Sequence, residues 1–97
     1  MNYELTQNYP NPFNPSTTIR FSVAESALIN LSVFNSLGEK IEELVNEVKE
    51  PGVYTVEFSA KGGSASGGNA YNLASGTYIY RITANDFTQT KKMMLIK

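Results

Sequence analysis

An all-β fold, an immunoglobulin-like β-sandwich of about seven short strands, is what the sequence predicts, and three observations carry it. Runs in which apolar and polar residues alternate recur along the chain. Turn residues separate these runs roughly every 8 to 12 positions. The composition is that of a folded chain, for of 97 residues 41% are hydrophobic, 11% aromatic and only 18% charged, whereas disordered segments are poor in aromatics and rich in net charge. A chain of this length builds one modest core, so a single domain over 1–97 is expected.

The lead-in over 8–15, Asn8-Tyr9-Pro10-Asn11-Pro12-Phe13-Asn14-Pro15, is dominated by proline. Each proline fixes its own φ, removes an amide donor and pushes the residue before it to an extended shape. A stiff, non-helical segment follows, with Tyr9 and Phe13 expected to pin it onto the core. Ser16 to Val23 then alternates, with Ile19, Phe21 and Val23 on one face and Thr18, Arg20 and Ser22 on the other. That is the period of a half-buried strand. Ala27 to Asn35 repeats it with Ile29, Leu31 and Val33, and Asn35-Ser36-Leu37-Gly38 supplies a turn. The triplet Asn30-Leu31-Ser32 matches a glycosylation acceptor, a match expected by chance inside a strand.

Glu39 to Glu50 carries conflicting signals. Ile41, Leu44, Val45 and Val48 fall at helical spacing, and the Glu and Lys content favours helix. Every neighbouring segment reads as a strand, however, and tertiary pairing overrides propensity in so short a piece. A strand with a bulge at Glu42-Glu43 is therefore predicted. The acids Glu39, Glu42, Glu43, Glu47 and Glu50, mixed with Lys40 and Lys49, read as a solvated face.

Pro51-Gly52 marks a turn, and Val53 to Ser59 alternates with Tyr54, Val56 and Phe58 on one face. Lys61 to Asn72 contains Gly62-Gly63-Ser64-Ala65-Ser66-Gly67-Gly68, the composition of a flexible linker, and is either a surface loop or an engineered insertion. Thr77 to Ala84 is the next strand, with Tyr78, Tyr80 and Ile82 facing one way. Leu73 and Gly76 just before Tyr78 suit a tyrosine corner, in which the ring packs inward and its hydroxyl bonds upstream backbone. Asn85-Asp86 is a two-residue hairpin signal, and Phe87 to Lys97 forms the last strand.

Composition also excludes functions. The net charge of -1 provides no field to hold phosphate backbones or anionic lipid, so no nucleic-acid partner is expected. No apolar run approaches the roughly 20 residues that span a bilayer, so no membrane insertion is expected. The start, Met1-Asn2-Tyr3-Glu4-Leu5, lacks a signal-peptide pattern. Without His or Cys the chain lacks the commonest general base, the commonest zinc ligands and the usual nucleophile pairs. No catalytic, metal or cofactor-binding residues are predicted, and the chain reads as a non-enzyme.

Four motifs taken together carry a resemblance. Asn8 to Ile19, Val33-Phe34-Asn35-Ser36-Leu37-Gly38, Leu73-Ala74-Ser75-Gly76-Thr77-Tyr78 and the closing Lys92-Met93-Met94-Leu95-Ile96-Lys97 resemble the type A C-terminal sorting domain of the type IX secretion system. The resemblance runs from about Tyr3 to Lys97 and is broken mainly at Lys61 to Asn72, where related domains have fewer residues; such an insertion costs a fold little. It implies the terminal part of a larger secreted protein of the Bacteroidetes, non-catalytic, covalently joined to an upstream cargo. The cargo would pass through the periplasm, cross the outer membrane by the type IX translocon and end on the cell surface or secreted. A sortase-like surface protease would then remove the domain upstream of Tyr3, and Met1 would be an added start.

Carried over position by position, the family's opening motif falls on Tyr9, Pro10, Asn11, Pro12 and Phe13, its Gly-x-Tyr motif on Gly76 and Tyr78, and its Lys-rich end on Lys92 and Lys97. These are the recognition candidates. Each also has a structural reading: a rigid cover for one end of the sandwich, a turn and its corner tyrosine, and lysines that guard an edge strand against unwanted pairing. The same edge is alternatively a place for strand addition by a receptor, with Lys91, Lys92 and Lys97 meeting its acidic groups. The rival class is an immunoglobulin-like structural or binding module, flagellar hook-cap-like or carbohydrate-binding.

Overall fold

The computed structural model describes residues 2–60 and 73–96. The expected linker over 61–72 and the candidate Lys97 lie outside the described residues. Among the described residues seven strands form in chain order: β1 (Glu4–Leu5), β2 (Ser16–Val23), β3 (Ala27–Phe34), β4 (Lys40–Lys49), β5 (Gly52–Ser59), β6 (Gly76–Ala84) and β7 (Phe87–Leu95). They make two antiparallel sheets, ordered β1-β2-β5 and β4-β3-β6-β7. This is the predicted immunoglobulin-like sandwich.

Alternation decides which residues lie between the sheets. Ile19, Phe21 and Val23 from β2, Ile29, Leu31 and Val33 from β3, and Tyr78, Tyr80 and Ile82 from β6 are all buried, as their period-2 spacing predicts. Phe58 is buried with them, while Tyr54 and Val56 pack half-exposed against the same core. At the β6–β7 turn Ala84 pairs with Phe87 across Asn85-Asp86, and Asn85 takes φ 54°, a conformation Asn tolerates better than most residues.

β4 is a strand, as context requires, but the bulge is not at Glu42-Glu43. Both glutamates are paired, Glu42 with Val33 and Glu43 with Ser32. The register shifts fall on either side, leaving Leu44 unmatched between Glu43 and Val45 and Ile41 unmatched between Lys40 and Glu42. The helix-like spacing explains why. Leu44 and Val45 are consecutive and a regular strand points them to opposite faces, whereas an extra residue re-phases the strand so that both meet the core. Val48, the fourth residue of the helical pattern, stays exposed opposite Leu28.

Candidate functional site

The opening and closing motifs, at opposite ends of the chain, meet along the outer edge of β7. The lead-in first extends the three-stranded sheet: the Thr6 amide donates to the Arg20 carbonyl, and Tyr9 and Thr18 exchange both backbone bonds at 3.0 and 2.9 Å. It then crosses to the other sheet. There Phe13 bridges Leu95 in parallel, its amide donating to the Met94 carbonyl (2.9 Å) and its carbonyl accepting from the Ile96 amide (3.0 Å).

Proline shapes this junction. Pro10 and Pro12 have no N–H to offer a ladder, so side chains stand in for backbone. Asn11 Oδ1 accepts from the Met94 amide at 3.0 Å, and Gln7 Nε2 donates to the Lys92 carbonyl at 2.7 Å. The open edge expected for strand addition is therefore closed from the Lys92 carbonyl to the Ile96 amide, because the chain's own lead-in bonds the Lys92 carbonyl, both backbone groups of Met94 and the Ile96 amide. The expected pinning by Tyr9 is also corrected. Phe13 is 1% exposed and sits edge-on to Phe58 at 6.1 Å. Tyr9 is 80% exposed, since pairing with outward-facing Thr18 turns its ring to solvent as well.

The second anchor is Asn8, which motif reading does not single out by role. It is buried; its Nδ2 donates to Thr17 Oγ1 (2.9 Å) and to the Pro10 carbonyl (3.1 Å), and its amide donates to the Tyr80 hydroxyl (2.8 Å). The Tyr80 hydroxyl in turn donates to the Thr6 carbonyl at 2.8 Å. Burial pushes the Tyr80 phenol up to about 12, partly offset by the Asn8 amide. A signal for this network was present: Thr17 shares the inward phase of Ile19 and Phe21, and Tyr80 that of Ile82. An inward hydroxyl needs a partner.

The remaining candidates separate by position. Pro10, Asn11, Pro12 and Lys92 are exposed along the junction. Tyr78 is buried and its hydroxyl donates to the Ala74 carbonyl at 2.6 Å, the upstream bond expected of a corner tyrosine. Gly76 takes φ 151° with open space where a Cβ would stand, so its backbone conformation and not crowding calls for glycine. Both lie on β6 directly beside the closing motif of β7, Gly76 opposite Leu95 and Tyr78 opposite Met93. Among the described residues no group of three or more His, Cys, Asp or Glu side chains is placed to hold a metal ion.

An immunoglobulin-like sandwich whose lead-in crosses between the sheets to close the edge of the last strand defines a class of small β-modules. The chain belongs to the family of secretion system C-terminal sorting domains, those of type IX secretion, whose family model matches residues 7–97. A search of curated proteins finds no match. Among solved structures, the crystal structure of dimeric latent PorU from Porphyromonas gingivalis is similar, with a TM-score of 0.69 and 14% identity, covering 99% of this chain and 10% of that one. At that identity the likeness is one of fold. The chain spans about a tenth of the length of that relative.

Proposed function

We propose that the chain is a non-catalytic C-terminal export signal, covalently joined to a larger upstream cargo that it directs across the outer membrane through the type IX machinery. The cargo passes through the periplasm and ends on the cell surface or in the medium. The translocon reads the domain, and a sortase-like surface protease then removes it. The observation that supports this reading most is the junction itself. The two most family-like motifs, Tyr9 to Phe13 and Lys92 to Ile96, are hydrogen-bonded into one unit whose outer side is exposed, so a receptor meets them together as a folded shape.

The test is a fusion of the chain behind a periplasmic reporter in a host with type IX secretion. Export of the reporter and trimming near the start of the domain are expected. Reporter retained in the periplasm, at full expression and solubility, would instead favour a structural spacer.

A further inference from the structure

The outer face of the four-stranded sheet is chemically uneven. Near the end of β7, Phe34, Ile79 and Lys92 form one cross-strand row, and Thr77 and Met94 the next. The Arg81 guanidinium lies 4.7 Å from the centre of the Phe34 ring. Lys40, at the margin, is tied to Glu43 at 2.9 Å, but no carboxylate of the described residues pairs with Arg81 or Lys92. Met94 and Ile96 are 47% and 49% exposed, although their neighbours Met93 and Leu95 already fill the core from this strand. Beside them a hollow of about 160 Å³ opens between Asn11, Thr77, Lys92, Met93 and Met94.

The far half of the same face lacks this combination. Leu28 and Val48 are exposed there, among Asn30, Asn46, Thr83 and Thr88, with no cation in those rows. Main-chain pairing is unavailable at the β7 edge beside the cationic half, because the lead-in occupies it. What this region presents is a face: two cations with no carboxylate partner among the described residues, two exposed apolar side chains and a pit large enough for one more. Two cations are too few to hold a polyanion at useful affinity, since affinity for nucleic acid grows with the number of phosphates neutralised. They suit one or two carboxylates.

Resting on the export-signal reading, we infer that this half-face docks an acidic segment of a partner protein, with carboxylates on Arg81 and Lys92 and an apolar side chain in the hollow beside Met94. Binding is through side chains on the sheet face, and the lead-in stays in place while it happens.

Two measurements test this. In the first, the chain is titrated with a synthetic peptide of alternating Glu and Leu while its amide resonances are followed. Shifts centred on Thr77, Ile79, Arg81, Lys92 and Met94 are expected. The double variant Arg81→Gln/Lys92→Gln should bind at least tenfold more weakly, about 1.4 kcal/mol, and Arg20→Gln on the opposite sheet should bind normally. Shifts centred on Arg20, or no binding, overturn the inference. So does tighter binding to phosphatidylglycerol vesicles that the same double variant abolishes, which reassigns the face to lipid.

In the second, the double variant is placed in the reporter fusion. At least tenfold lower export is expected, with the melting temperature lowered by no more than a few degrees for the lost Arg81–Phe34 contact, while Arg20→Gln exports normally. Normal export by the double variant overturns the docking face and leaves the export signal standing. Retention of the unsubstituted fusion overturns the export signal, and the peptide titration then decides the face by itself.

Discussion

Phe13 and Leu95 lie side by side as a parallel bridge in an otherwise antiparallel sandwich, each with its side chain 1% exposed. One comes from the proline-rich lead-in and the other from the closing strand, so the core and the exposed junction share the same two residues. Stability and presentation of the motifs are thereby coupled.

Phe13→Ala should cost about 3–5 kcal/mol, the usual loss for a fully buried aromatic. It should also loosen the junction, read as faster hydrogen exchange at the Met94 and Ile96 amides, which bond Asn11 and Phe13. Tyr9→Ala should change denaturation free energy by no more than about 0.5 kcal/mol, because its ring faces solvent. An equal effect of both substitutions in urea denaturation would contradict the placement of the two rings.

Leu95→Ala and Ile96→Ala should differ in the same way. Leu95 belongs to the core and Ile96 does not, so losses of about 2–5 kcal/mol and under about 1 kcal/mol are expected. Thermal melts of the two variants, run in parallel, check it. A larger loss at Ile96 would invert the face assigned to β7.

Tyr80 sets an alkaline limit. Its phenol is raised from 10.0 to about 12 by burial, so the unfolded chain gives up its proton first as pH rises. The stabilisation is complete below about pH 10 and is lost between about pH 10 and 12, on the order of 2 kcal/mol. Tyr80→Phe should flatten that part of the pH–stability curve relative to the parent. It should also lower neutral-pH stability by about 1–3 kcal/mol, since the Asn8 amide loses its acceptor and the Thr6 carbonyl its donor.

Gly76→Ala should destabilise by about 1–3 kcal/mol through backbone strain alone, since φ 151° is open to glycine and the space beyond is empty. Tyr78→Phe, which removes only the bond to Ala74, should cost about 0.5–1.5 kcal/mol. If the Gly76→Ala protein is fully stable in guanidinium denaturation, the assigned backbone conformation is wrong.

Much of the sandwich could be read directly because period-2 alternation is a local property. Ile19, Phe21 and Val23 announce their own face whatever lies opposite. The β4 bulges escaped because a register shift belongs to a pair of strands: nothing within Glu39 to Glu50 says that Val33 and Ser32 will sit opposite Glu42 and Glu43. The junction escaped for the same reason on a larger scale. That Asn11 faces Met94 depends on the lead-in changing sheets, and the motif pattern named both partners without revealing that they touch.

The crossing of the lead-in also imposes an order of events. A chain emerging from the ribosome carries Phe13 long before Met94 and Ile96 exist to receive it, so its backbone groups wait for those partners while β2 to β6 and most of β7 are made. Closure comes only with the end of β7. A chain cut short of Leu95 lacks the bridge partner of Phe13, so the junction records that β7 was completed.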